Sequence, residues 1–161
     1  TILFLMINTL QDLLTFENIY LFSNWGVVPF WLLLVFIPNH SITRFFCHSI
    51  IPFLLLGAAY IFVAYQIYLE DNTFEGFKLY LGLDSLDEIY INKSIRLVFW
   101  LHFLAVSLFV GSWIARDCQK YMIPKMLSIP CITTTYFAGP IGIIIYWLIR
   151  IFYAKKINFN D

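Results

Sequence analysis

The sequence predicts an all-α membrane protein with four transmembrane helices and a short interfacial helix between helices two and three. The chain is 61% hydrophobic, 20% aromatic and only 12% charged, whereas an average soluble domain is about 25% charged. Its mean hydropathy is +0.79. Because so few polar side chains are available to cover a globule, an unusually apolar soluble core is the weaker alternative. The remaining observation is that four long intervals of the sequence contain no charged residue, which predicts four spans.

These intervals set the boundaries of the spans. Each contains no Asp, Glu, Lys or Arg and reaches the roughly 18 residues that mark a transmembrane candidate. Trp100, Trp113 and Trp147 fall near the ends, as rings of an interfacial belt do. The predicted division is an N-terminal interfacial segment at 1–17, a four-helix transmembrane domain at 18–153 with spans near 19–37, 47–69, 95–116 and 128–152, and a C-terminal tail at 154–161.

The longest polar connection lies at 70–94. Within it, "NTFEGFKLYLG" is typical of a short interfacial helix that stops at Gly82. Ser85 with Glu88 three residues later fits a capping box for a second turn. This loop is either a lid over a lateral entrance or a solvated connector on the headgroups, and the connector is the favoured interpretation.

Charge and residue usage narrow the function classes. The net charge is zero, so nothing indicates a nucleic-acid partner. The three cysteines are widely spaced and predict buried apolar residues rather than a metal site or disulfide framework. His48 and His102 begin the second and third spans on opposite faces of the membrane, roughly 20 Å apart by helix rise. Haem ligation by this pair is therefore disfavoured, and no cofactor or metal is predicted.

Small residues and proline predict how the helices pack. In lipid, helices associate through close approach at small residues. Ser107, Gly111 and Ala115 recur every four residues on helix three, and Gly57 is a small residue on helix two. We expect neighbouring helices to approach closely at these positions. Pro140 is expected to kink helix four, because proline removes an internal hydrogen bond.

Polar side chains at depth form one predicted layer. Counting helix rise from the ends of the spans places Asn24, Tyr65 or Gln66, His102 and Tyr146 in the same leaflet. Two interpretations of His102 stay open. It is either a neutral imidazole that bonds Gln66, Tyr65 or a carbonyl and ties helices together, or a functional group, as ionisable residues inside membranes often are.

The segments "WLHFLAVSLFVGSWIARD" and "IPKMLSIPCITTTYFAGPIGIIIYWLIR" resemble the neoxanthin synthase-like (abscisic-acid-deficient-four-like) family of integral membrane proteins. The resemblance covers roughly residues 18–152, nearly the whole chain. That family comprises plant plastid proteins and bacterial relatives of similar size. The sharper motifs are Trp-x-His and Gly-Pro-x-Gly, which fall here at Trp100, His102, Gly139, Pro140 and Gly142.

The resemblance implies isomerisation of an epoxycarotenoid to an allenic carotenoid, without net redox change. Such a reaction needs an acid at the epoxide oxygen and a base at the adjacent polyene carbon. His102 would be the base and Tyr65 the proton donor. Binding roles would fall to Gln66, Asn24 and Tyr146. The family usually carries Asp where this chain has Ser107, so one acid–base group of the family is missing.

Other function classes stay open. A non-catalytic accessory subunit of a respiratory or photosynthetic membrane complex fits the missing Asp, the small size and the lack of a cofactor motif. A transporter or channel is disfavoured, because the spans carry no acidic residue. The expected partners are the lipid bilayer, a carotenoid or other isoprenoid, and subunits of a complex. The expected location is a bacterial inner membrane or an organelle membrane, mitochondrial inner or thylakoid/plastid.

Overall fold

The computed structural model describes residues 14–71 and 80–155, and within those ranges every regular element is a helix. The all-α prediction is confirmed for this part of the chain. The helices are α1 (Phe16–Gly26), α2 (Val28–Phe36), α3 (Ser41–Cys47), α4 (Ile51–Asp71), α5 (Leu83–Tyr90), α6 (Lys93–Lys120), α7 (Lys125–Phe137) and α8 (Gly139–Ala154).

Three helical segments are long and apolar enough to cross a membrane, namely Phe16–Phe36, Ser41–Leu69 and Lys93–Lys120. They correspond to the first three predicted spans. The first joins α1 to α2 across Val27, where a proline in the first turn of α2 explains the interruption, because it cannot donate to the preceding turn. The second joins α3 to α4 through a bend at 48–50.

The fourth predicted span, 128–152, is not a single helix. The chain leaves helical geometry at Ala138, whose φ is −147° and ψ is 74°. Pro140 occupies the first turn of the following helix, so the expected kink is a complete break. α8 has 16 residues, about 24 Å of helix, which is shorter than the roughly 30 Å hydrocarbon core. The described residues therefore contain three candidate spans rather than four.

α7 and α8 fold back on each other as a helical hairpin. A Cβ added to Gly142 would lie 2.6 Å from the backbone nitrogen of Thr135. In a continuous helix these two residues would be about 10 Å apart along the axis, so the contact requires the chain to reverse. The far end of α8 returns to the end of α6, where Tyr146 and Arg150 bond Asp117.

The connection between the second and third spans differs from its prediction. Most of the predicted interfacial helix lies at 72–79, outside the described residues, as do 1–13 of the predicted N-terminal segment and 156–161 of the tail. Gly82, at which that helix is predicted to stop, immediately precedes α5 and has a φ of +147°, a conformation that favours glycine. Ser85 lies inside α5, so the predicted capping box with Glu88 is wrong.

The chain forms two compact units, and the first contains Thr1–Gly26 and Phe53–Leu104. Its described core combines aliphatic side chains of α4 and α6 with aromatic contacts. Trp100 lies 6.1 Å from Tyr20 and stacks on Phe103 at 5.4 Å between ring centroids. Gly57 faces open space, since an added Cβ would meet nothing within 4 Å. The packing role predicted for this glycine is therefore not seen.

The second unit contains Val27–Pro52 and Ala105–Asp161. Its core includes the predicted row of Ser107, Gly111 and Ala115, all of which are buried. The indole of Trp31 lies so close to Gly111 that an added Cβ would be 2.5 Å from its Cζ3. Small residues thus admit a large ring to this face of α6, as predicted.

Candidate functional site

The predicted catalytic pair lies on the surface of the first unit. Tyr65 on α4 is 56% exposed, and His102 on α6 is also exposed. Gln66 and Asn24 are half-buried. Within residues 14–71 and 80–155, no hydrogen bond joins any of these four side chains to another or to the rest of the chain. Their roles therefore stay predictions.

Tyr146, the fifth residue of the predicted layer, belongs to the second unit. Its side chain is fully buried, and its hydroxyl donates to Asp117. Asp117 lies in the last turns of α6, whereas His102 lies in its first half. The hairpin explains this placement, because it directs α8 back towards the end of α6.

Tyr146 is part of what we term the polar cluster, formed by Asp117, Tyr121, Tyr146 and Arg150. One oxygen of Asp117, Oδ2, accepts a hydrogen bond from Tyr146 and another from Arg150 Nε at 2.6 Å. Arg150 Nη2 donates to the Tyr121 hydroxyl at 3.2 Å. The Arg150 side chain is fully buried and that of Asp117 is 11% exposed. The cluster thus joins α8 to α6 through a desolvated ion pair.

Aromatic rings surround the arginine of this cluster. The guanidinium carbon of Arg150 lies 4.9 Å from the ring centroids of both Tyr121 and Trp147. Trp113 meets Tyr146 edge-on at 5.4 Å and stacks on Trp147 at 6.0 Å. Ring faces attract a cation, and the low dielectric around them strengthens the attraction between the paired charges.

Within the polar cluster, the hydrogen-bonding and charged groups are satisfied by one another. The Tyr146 proton has an acceptor in Asp117, and the charge of Asp117 is offset by Arg150. Neither Tyr146 nor Asp117 is therefore a free acid or base. The arrangement fixes the hairpin against α6, and a substrate would have to break the pair to use either group.

Sequence reasoning missed the partnership of Asp117 with Arg150. Arg116 and Asp117 follow directly on the third charge-free interval, at the end of a span, where charged side chains ordinarily stay hydrated. Arg116 is indeed exposed, but Asp117 bonds into the polar cluster. One signal was available, because Tyr146 and Arg150 are four residues apart on one helix face. An arginine in an apolar helix also requires a partner.

His48 forms a second polar contact in the second unit. Its Nδ1 lies 2.7 Å from Ser112 Oγ, and the Ser112 hydroxyl donates to the Cys47 carbonyl at 2.9 Å. Because that hydroxyl has a single proton, Nδ1 must donate the hydrogen that joins the two side chains. Nε2 is buried and has no hydrogen-bond partner in the described part of the chain. The His48 side chain thus ties the bend before α4 to α6.

Ser107 lies beside the break of the hairpin. It is 4% exposed, and a Cβ added to Gly139 would lie 3.4 Å from its Oγ. His102 is exposed while Ser107 is buried, so the two occupy different faces of α6. The position at which this chain departs from the family pattern thus contacts the start of α8.

No metal centre is formed within residues 14–71 and 80–155, where no three His, Cys, Asp or Glu side chains lie close enough to hold an ion. The second unit does contain a cavity of about 330 Å³, lined by the C-terminal end of α6, the loops at 37–40 and 121–124, and α7. A small organic group is therefore the kind of ligand for which this unit has space.

Comparison with known proteins confirms the family resemblance of the sequence. The sequence model of the ABA DEFICIENT 4-like family matches residues 18–146. The chain is also 21% identical over 137 residues to Protein ABA DEFICIENT 4, chloroplastic, from Arabidopsis thaliana, which covers 83% of this chain and 61% of that protein. The chain thus spans about three fifths of that relative's length. No solved structure matches it. This chain belongs to the ABA DEFICIENT 4-like family.

Proposed function

We propose that this chain is a membrane isomerase that opens the epoxide of an oxygenated isoprenoid, of the carotenoid class. The observation that carries the proposal is the environment of His102. This ionisable side chain is exposed on an apolar helix and has no hydrogen-bond partner among the described residues. Such groups are costly in lipid and are most often functional. Membership of the family supports the substrate class.

In the proposed reaction, the protein gives one proton to the substrate and removes another from it. Tyr65 donates its phenolic proton to the epoxide oxygen as the carbon–oxygen bond breaks, which gives a hydroxyl group. His102 removes a proton from the adjacent polyene carbon, and that electron pair forms the new allenic double bond. Proton return from His102 to Tyr65 through water restores both groups. The exposure of Tyr65 and His102 supports access for a substrate that arrives through the lipid.

Because this chain has Ser107 where the family usually has Asp, the proposed mechanism uses no carboxylate at this position. A carboxylate at this position would lie beside the N-terminus of α8, where the helix dipole stabilises negative charge. Because Ser107 is buried on another face of α6 from His102, the proposed reaction does not require an acid there.

The test is turnover of epoxycarotenoids by the purified protein in lipid nanodiscs, analysed by chromatography, with the Arabidopsis relative as a positive control. We expect an allenic product from the wild type, and at least a hundredfold loss in His102→Gln and Tyr65→Phe, as for other positioned acids and bases. Tyr68→Phe is the matched control, since Tyr68 lies on the same helix and is 55% exposed. Product from Ser107→Asp alone, with none from the wild type, would contradict the roles of His102 and Tyr65.

The same exposure favours a second candidate, a non-catalytic subunit whose partner helices cover His102. In that case the protein extracted from its native membrane in mild detergent migrates with a larger complex, and His102→Gln releases it. A lone monomer in those extracts would rule out this alternative. The proposed location is a bacterial inner membrane or a plastid or mitochondrial membrane, and the Arabidopsis relative is described as chloroplastic.

A further inference from the structure

The cavity of the second unit has an apolar floor and a polar mouth. It holds about 330 Å³ and is lined by residues of α6 and α7 and of the loops at 37–40 and 121–124. Ala115, Cys118 and Ile132 form the floor and are almost completely buried. Asn39 and Lys125 are exposed at the mouth. A ligand that fits must therefore have one apolar end and one polar end.

The polar groups of the lining offer both a hydrogen-bond donor and an acceptor. Gln119 uses its amide nitrogen to donate to the Pro38 carbonyl at 3.0 Å, which leaves its carbonyl oxygen as an acceptor. The Ser128 hydroxyl donates to the backbone of Lys125 at 3.2 Å, so its oxygen also remains an acceptor. The ammonium group of Lys125 can only donate.

These partners select the polar end of the ligand. A carboxylate or phosphate could accept from the ammonium group of Lys125 but would have no proton to donate to the oxygens of Gln119 and Ser128. A hydroxyl accepts from the ammonium and donates to a carbonyl oxygen at once. The volume lies at the lower end of the roughly 300–1,000 Å³ typical of ligand pockets, which suits one ring system rather than a long chain.

We propose that this cavity is a binding site for a neutral, hydroxylated apolar ring. The ring occupies the floor formed by Ala115, Cys118 and Ile132, and its hydroxyl lies between Lys125 and Gln119. The site lies in the second unit, on other residues than the proposed acid–base pair of the first. It therefore holds whether or not the chain is an isomerase.

Photolabelling in nanodiscs tests the site without any turnover assay. The probe is a diazirine analogue of menthol, the competitors are menthol, p-menthane and cyclohexanecarboxylate, and labelled peptides are mapped by mass spectrometry. We expect saturable labelling of the peptides that contain residues 38–39 and 115–132. Menthol should compete at about tenfold lower concentration than p-menthane, as one hydrogen bond to a charged group implies.

Three variants make the test specific. Ala115→Leu fills the floor and should abolish saturable labelling, whereas Val106→Leu is the matched control, because Val106 lies on the same helix and is 46% exposed. Lys125→Met leaves the core untouched and should remove the advantage of menthol over p-menthane. Labelling spread over the exposed helix faces without saturation, equal competition by p-menthane, or strongest competition by the carboxylate would each overturn the proposal.

Discussion

Arg150 shows what a single charged residue requires in an apolar helix. Its side chain is fully buried, so only the chain's own groups stabilise the charge. Asp117 supplies the counter-charge, and Tyr121 and Trp147 present their ring faces. Removing a charge from water costs several kcal/mol, which a well-placed partner offsets. Loss of one partner therefore costs more than the pair contributes in net terms.

Replacing Arg150 alone should strongly destabilise the protein. In Arg150→Met, Asp117 is left without its cation, and we expect the free energy of unfolding in detergent to fall by about 3–5 kcal/mol. The double variant Arg150→Met/Asp117→Asn should recover part of that loss. Arg116→Met is the control, because Arg116 is exposed, and it should change stability by less than about 0.5 kcal/mol. Equal losses in the single and double variants would show that the loss does not come from leaving Asp117 without its cation.

At the scale of elements, the α7–α8 hairpin depends on the absence of a side chain at Gly142. The backbones of the two helices meet where an added Cβ would lie 2.6 Å from the nitrogen and 2.7 Å from the Cα of Thr135. Backbone atoms cannot rotate away from such a contact. The two helices would therefore have to separate, and the contacts that hold α8 against α6 would weaken.

Adding a single methyl group at Gly142 should destabilise the hairpin. Gly142→Ala should lower the free energy of unfolding by about 1–3 kcal/mol or more, as overpacking does. Gly57→Ala is the matched control, since Gly57 is also helical but faces open space. The control should be neutral or more stable by up to about 1 kcal/mol through helix propensity. Thermal unfolding followed by circular dichroism in detergent measures both, and a neutral Gly142→Ala would contradict the close approach.

The first three spans could be predicted because charge and hydropathy alone determine them. The reversal at Ala138 could not, because a hairpin and a kinked helix share the same composition. Gly139 and Pro140 indicated a disruption but not its angle. The polar cluster was missed for a related reason. Asp117 meets Arg150 only after the reversal, so a linear reading assigned the two residues to opposite ends of the bundle.

At the scale of the molecule, three candidate spans followed by a hairpin imply a different transmembrane topology from the one that four spans would give. If α7 and α8 enter and leave on one side, residue 155 and the loop at 121–124 lie on that same side. In a four-span arrangement they would lie on opposite sides. The side of residue 155 therefore distinguishes the two arrangements.

Labelling with a membrane-impermeant maleimide tests this arrangement in vesicles of one orientation. The native cysteines are buried, so the reagent reports on introduced ones. We expect Met122→Cys and Lys155→Cys to react from the same side, because both positions are exposed and the hairpin joins them. Lys93→Cys, at the other end of α6, should react from the opposite side. Reaction of positions 122 and 155 from opposite sides would instead show that the chain crosses the membrane a fourth time between them.

The hairpin also redistributes basic residues. It adds Arg150 and Lys155 to the end of α6 that already holds Arg116, Lys120 and Lys125, whereas the other end holds Lys93 and Arg96. Basic residues accumulate on the side from which a membrane protein is inserted. Pro140, by turning the chain back, thus shifts this bias towards the α7–α8 end. Insertion should keep that end in the compartment where the protein is synthesised or first encounters the membrane.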